Sequence, residues 1–206
     1  MKLDIGCGAN KHAGFFGIDK LPHPGVDLVC DIDQGIPLPD SSASFIMACR
    51  SLPYVANLPF VLSELYRLCA DRAVVCIYAP FARHFRHLTN PYFRQRFDEY
   101  TPRYTTPTFY QPPDSPACPP IRYDDAPEPP CDLRLLRMEL FYDEPFSSEW
   151  FDNEEREMLK DLQFNVASDI LYYFLAAKSP ISNDELLHMS RLSYPEPFCL
   201  ARKDKR

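Results

Sequence analysis

The chain has no stretch that approaches the roughly 18 consecutive apolar residues of a membrane span. No apolar segment near Met1 has signal-peptide form, because the chain runs straight into a short strand-like stretch. These absences lead to the expectation of a soluble, cytoplasmic protein without membrane contact. Cations are in deficit. Lys and Arg number 22 against 29 Asp and Glu, a formal net charge of −7. Nucleic-acid binding needs cations that neutralise phosphates, so no nucleic-acid partner is expected. The eight cysteines form no CxxC pair, and no His pair completes a zinc pattern, so no metal site is expected. Several cysteines sit in apolar runs such as AVVCIYAPF (73–81), which reads as buried free thiols in a reducing compartment. Internal repeats are absent. The dinucleotide fingerprint GxGxxG is incomplete: the glycines stop at Gly6-Cys7-Gly8, and Lys11 stands at the third position.

What is present suits one α/β domain over 1–206. The 206 residues are 46% hydrophobic, enough for a real core. KLDI (2–5), FFGID (15–19), VDLVC (26–30), SFIMAC (44–49) and AVVCIYA (73–79) are short, apolar and β-prone. Such near-continuous runs suit parallel strands covered on both faces. NLPFVLSELYRLCA (57–70) differs, with Phe60, Val61, Leu65 and Leu68 at helical spacing, Asn57 as N-cap and Pro59 in the first turn. Strand, helix and strand over 44–79 make one right-handed crossover. The connection between Gly8 and Phe15 is only six residues. A crossover helix needs about a dozen, so the first helix is expected to be shortened or lost.

Beyond Pro80 the organisation changes. Residues 101–131 hold ten of the 22 prolines. Proline removes backbone donors and fixes φ, so this stretch is expected as an extended loop or lid rather than helix or inner strand. LRLLRMELFYD (133–143) alternates as a strand does. NEEREMLKDLQ (153–163) and VASDILYYFLAAK (166–178) read as helices, and EPFCLARK (196–203) as a last strand.

The stretch LDIGCGANKHAGFFGIDK (3–20) carries the chemistry. A glycine turn at a strand's carboxyl end lets a ligand approach the backbone closely, with N–H groups free to donate. Asp19 ends the second strand, suited to ribose hydroxyls, and Asp31 ends the third, suited to an adenine amino group. With GVDLVCDIDQGIPLPDSSASFIMA (25–48) and FVLSELYRLCADRAVVCIYAPF (60–81), this stretch resembles the class I S-adenosylmethionine-dependent methyltransferases, in particular the methyltransferase type 11 group. The resemblance covers about the first 80 residues. It implies a Rossmann-like, mostly parallel seven-stranded sheet in the order 3-2-1-4-5-7-6 with an antiparallel last strand, and S-adenosyl-L-methionine as cofactor. By the same resemblance Asp4, Gly6, Cys7 and Gly8 form the loop under the methionyl part. Asp19, followed by Lys20, holds the ribose. Asp31 and Ile32 hold the adenine, and Cys49 or Arg50 forms the wall after strand four.

Three positions depart from the family pattern. Ala43-Ser44-Phe45 replaces the usual Phe-Asp at strand four, and CADRA (69–73) replaces a Pro-Gly-Gly turn. RSLPYV (50–55) lacks the His or Glu-His pair near the transferred methyl. The acceptor stretch is therefore sought in FARHFRHLTNPYFRQRFDEY (81–100), a basic, aromatic-laced segment just after strand five. It reads either as recognition of an anionic or sugar-like small-molecule acceptor, with His84 or His87 as base, or as a solvated helix face. Tyr54 reads as a pocket wall or as an ordinary cap aromatic. His12, in the glycine loop, reads as a loop residue rather than a catalyst. Three functions stay open: a small-molecule methyltransferase, a catalytically silent S-adenosylmethionine binder, and, less well matched, a nicotinamide oxidoreductase. A monomer or homodimer is expected.

Overall fold

The structure, a computed structural model, describes residues 1–121 and 128–200. The short apolar runs become the parallel half of one sheet. β1 (Lys2–Ile5) pairs in parallel with β2 (Phe16–Asp19) on one side and with β4 (Ala43–Cys49) on the other. β2 pairs with β3 (Leu28–Val29), and β4 with β5 (Cys69–Pro80), again in parallel. β6 (Leu133–Tyr142) and β7 (Ala167–Ala176) complete a seven-stranded sheet in the order β3-β2-β1-β4-β5-β7-β6. β7 is antiparallel to both β5 and β6. The expected order with one antiparallel strand is observed, but that strand is formed by 167–176 and not by 196–203.

Between β4 and β5 runs α1 (Leu58–Leu68), with Pro in its first turn. The Asn57 side chain accepts from the Phe60 amide at 3.1 Å, satisfying one orphan donor of the helix start. Val61, Leu62, Leu65 and Leu68 are buried on the sheet side. Asn57→Ala is expected to lower folding stability by about 1 kcal/mol in urea unfolding, the usual value of such a cap. An unchanged midpoint would show that water replaces the cap.

No helix lies between β1 and β2. Two turns, Asn10 N to Cys7 O and Phe15 N to His12 O, fill the short connection. From β5 to β6 the described residues form one turn of helix, α2 (Phe85–Leu88), and one 3-10 turn, Thr101–Tyr104. The described part of the proline-rich segment packs down rather than standing off. Cys118 and Cys131 are buried in the same core as Val61 and Leu65, and Phe109 packs against it. Arg103 lies over the Phe109 ring at 3.8 Å and donates to Cys118 O at 2.7 Å. Thr105 O accepts from Leu133 N at 2.8 Å, which joins the segment to β6. Tyr123, expected on a lid, lies outside the described residues.

Two segments differ from expectation. Residues 166–178 do not form a helix: 167–176 is β7, and all ten of its residues are buried. A run apolar on every side has no periodicity to separate a buried helix from a buried strand. The aromatic Tyr172, Tyr173 and Phe174 suit the pleated surface between two neighbours. Residues 196–200 do not form the last strand. They lie in coil and turn outside the sheet, and 201–203 lie outside the described residues. Pro195 and Pro197 flank the start of this run and supply no ladder donors there. α3 (Asn153–Leu162) is where the periodicity places it, started by a reciprocal capping box between Asp152 and Glu155. The periodicity did not reveal α4 (Asn183–Ser190).

Candidate functional site

Five parallel strands direct their carboxyl ends to one edge, and the glycine turn sits on it. Gly6 and Gly8 adopt φ of 67° and 53°, a region L-residues avoid. The turn is held by its own backbone. Gly6 N and Cys7 N both donate to Ile18 O, at 2.7 and 3.2 Å, and Gly8 N donates to Asp19 Oδ2 at 2.8 Å. The amides expected to be open to a ligand are thus already engaged. They lock β1's turn onto the end of β2.

A cavity of about 640 Å³ opens beside this turn. Of the expected residues, Gly6, Gly8, Asp19, Lys20, Asp31, Ile32, Arg50 and Tyr54 line it. Asp19 Oδ1 also accepts from Leu21 N at 2.9 Å, so the carboxylate is fixed from both sides. Asp31 Oδ1 accepts from Asp33 N at 3.2 Å and caps the 3-10 turn Ile32–Gln34. Its Oδ2 accepts from Lys20 Nζ at 2.7 Å, and that ammonium holds the carboxyl below its ordinary range. Arg50 has φ of 59° and reaches Asp169 Oδ1 at 2.8 Å, with its guanidinium 5.3 Å from the Tyr78 ring centroid.

Three expected residues stand behind the wall. Asp4 is buried, and its Oδ2 accepts from the His12 amide and faces His12 Nδ1, both at 2.8 Å. It shapes the loop rather than facing the cavity. Cys7 is buried, and burial pushes its thiol up to about 11, with Asp4 and Asp19 adding to the rise. Cys49 points its sulfur toward Cys199.

The two histidines also lie off the cavity. His84 is buried as the N-cap of α2, its Nδ1 accepting from Arg86 N at 3.3 Å. His87 is buried, and its Nδ1 has no hydrogen-bond partner among the described residues. Burial, with the Arg96 charge, lowers its pKa from the ordinary value. Its ring lies 5.5 Å from Phe93, and Phe93 packs edge-on against Tyr54 at 4.8 Å. Tyr54 is therefore the aromatic at the cavity, and His87 stands two rings behind it.

Sequence reasoning missed Leu21, His23, Cys30, Asp33, Ser51 and Val55 on the cavity wall. Asp33 carries the clearest signal, two residues beyond Asp31; its carboxylate accepts from Ala56 N and Asn57 N and ties this loop to the start of α1. Ser51 had no signal. Its Oγ is buried without a partner among the described residues, and it meets Gly6 closely. Among the described residues no group of three His, Cys, Asp or Glu side chains gathers as a metal site, and no helix is long and apolar enough to cross a membrane.

No protein-family profile matches the sequence, and neither does any curated protein. Solved structures do match. An S-adenosylmethionine-dependent methyltransferase from Archaeoglobus fulgidus is 15% identical with a TM-score of 0.54, over 84% of this chain and 85% of that one. A chain from the complex between the Haloferax volcanii Trm112 methyltransferase activator and a methyltransferase is 16% identical with a TM-score of 0.52, over 88% and 83%. An S-adenosylmethionine-dependent methyltransferase from Thermotoga maritima is 11% identical with a TM-score of 0.51, over 84% and 80%. At such identities the likeness is one of fold. With the strand order it gives the chain the Rossmann-like fold of the class I S-adenosylmethionine-dependent methyltransferases.

Proposed function

We propose that this chain binds S-adenosylmethionine in the cavity beside Gly6 and transfers its methyl group to a small anionic or sugar-like acceptor. One observation carries the reading: on this fold, the glycine turn and the strand-end acids Asp19 and Asp31 line a single cavity at the carboxyl edge. The donor set suits the ligand. Asp19 and Asp31 each use two contacts and keep lone pairs for ribose hydroxyls and an adenine amino group. Ile32 adds an apolar wall. Ser51 Oγ is a buried polar atom with no partner among the described residues. When bound, the sulfonium supplies an electrophilic methyl and a neutral thioether leaving group.

Arg50 supports the anionic side of the proposal. Its guanidinium is part exposed at the wall, and Arg86 approaches the same Asp169 at 3.6 Å. Tyr54 is the aromatic that meets the acceptor, backed by Phe93 and by His87, whose pKa burial lowers. Positioning supplies much of the barrier reduction in such a displacement. A second reading, a silent S-adenosylmethionine binder, is favoured by one observation: neither His84 nor His87 lines the cavity. The unpaired thiols of all eight cysteines suit a cytoplasmic setting. A monomer or homodimer is proposed, with a protein activator as a further partner because one structural neighbour is seen with one.

Calorimetry with S-adenosylmethionine and S-adenosylhomocysteine is the first test, followed by turnover with carboxylate and sugar acceptors. Binding with turnover supports the enzyme, and binding without it supports the silent binder. No binding at millimolar ligand rejects both. Asp19→Ala is expected to weaken cofactor binding by about 1.5–3 kcal/mol, the range for hydrogen bonds to a charged group. An unchanged dissociation constant in a folded variant would remove Asp19 from the ribose.

A further inference from the structure

Burial sorts the cysteines by reactivity. Cys7, Cys69, Cys76, Cys118 and Cys131 are buried. Burial pushes the thiols of Cys69, Cys118 and Cys131 up to about 12. Cys30 is half-buried, donates to Gly35 O at 3.2 Å and is also raised by burial. A thiol kept protonated is a poor nucleophile.

Cys49 and Cys199 are different. Both are half-buried, and their sulfurs lie 2.7 Å apart although 150 positions separate them. A disulfide bond is about 2.05 Å long, so little movement separates contact from covalent linkage. The segment after α4 creates the contact by running back over the sheet edge. Tyr194 stacks on Tyr173 with centroids 5.5 Å apart, Phe198 N donates to His12 Nε2 at 3.0 Å, and Leu200 is buried. The hydrogen bond with Cys49, aided by the Arg50 charge, holds the Cys199 thiol below its ordinary range, while Cys49 is raised.

We propose that Cys49 and Cys199 are a peroxide-oxidised thiol pair whose disulfide staples the C-terminal segment to the end of β4. This does not depend on the methyl-transfer reading. The Cys199 thiolate attacks one oxygen of hydrogen peroxide; the O–O bond breaks, and the departing hydroxide takes a proton to become water. The resulting sulfenic acid is attacked by the Cys49 sulfur; the S–O bond breaks, and a second water leaves with the Cys49 proton. Two thiols and one peroxide thus give one disulfide and two waters. The staple lies beside the candidate site. Cys49 directly precedes Arg50 on the cavity wall, and Phe198, next to Cys199, touches the glycine loop through His12.

The 206-residue chain is treated with one equivalent of hydrogen peroxide, quenched with N-ethylmaleimide and mapped by peptide mass. A Cys49–Cys199 bridge is expected, with a loss of about 2 Da that dithiothreitol reverses. It should form at least about tenfold faster than any other cysteine loses its alkylation. In Cys49→Ser, Cys199 should accumulate as a sulfenic acid trapped by dimedone. In Cys199→Ser, Cys49 should remain alkylable. Full alkylation of both cysteines after peroxide, or earlier oxidation at another cysteine, would overturn the proposal. The unsubstituted protein decides the bridge by itself if either variant fails a circular-dichroism check.

Discussion

Gly6→Ala is expected to lose about 3–4 kcal/mol of folding stability in urea unfolding, through two effects that add. An L-residue at φ of 67° carries about 1–2 kcal/mol of strain. The new methyl would stand 2.2 Å from Ser51 Cβ, with Ser51 Cα at 3.5 Å. A Cβ is not the far end of a flexible chain, so backbone must move, and overpacking of this kind costs about 1–3 kcal/mol. Gly8→Ala is the control. Its φ is 53°, but nothing lies within 4 Å of the added carbon, so about 1–2 kcal/mol is expected. Equal losses at the two positions would show that the contact with Ser51 is relieved without penalty. The same displacement moves Ser51 on the cavity wall, so cofactor affinity should fall in Gly6→Ala more than in Gly8→Ala.

Asp169→Ala should destabilise the fold by about 3 kcal/mol. Asp169 is fully buried near the start of β7, where it pairs with Pro80 of β5. Its carboxylate joins Arg50 at 2.8 Å and Arg86 at 3.6 Å, and it accepts from Ser168 Oγ at 3.2 Å. Removing one partner of a buried ion pair costs about 3–5 kcal/mol because the other charge is left unpaired. Here the guanidinium side chains are 43% and 39% exposed, so water re-solvates part of each, and the lower end applies. Asp169→Asn keeps an acceptor at the same place and should lose about half as much. Arg86 keeps its ion pair with Asp143 at 2.6 Å, so a loss below about 1 kcal/mol for the alanine variant, measured by urea unfolding, would mean that solvent takes over Arg50.

The parallel half of the sheet was legible because its signals are local. β1, β2 and β4 are short apolar runs, β5 contains the run 73–79 but begins earlier, at Cys69, within the stretch read as a turn, and the six residues between Gly8 and Phe15 leave no room for a helix. Asn57 and Pro59 mark the start of α1 by chemistry confined to one turn. The second half was less legible. The run over 167–176 reads the same as a buried helix or a buried strand until its neighbours are known. Apart from the 3-10 turn Thr101–Tyr104, the described residues of the proline-rich segment form neither helix nor strand, as expected, but nothing local shows that Phe109 and Cys118 join the core that holds Val61 and Leu65.

The sequence by itself determined the turn at Gly6 and Gly8, the acid that ends β2 and the acid two residues beyond β3. Left-handed backbone favours glycine, although Arg50 adopts it as well, and a residue's place at a strand end follows from the run before it. Only the tertiary structure decided that the turn's amides close on Ile18 and Asp19, that His84 and His87 sit off the cavity, and that Ser51 faces it. It also decided that Arg50 meets Asp169 and that Cys49 meets Cys199, across 119 and 150 positions. Such contacts depend on where distant segments fold back over the sheet edge, and that is set by burial of the whole core rather than by any local pattern.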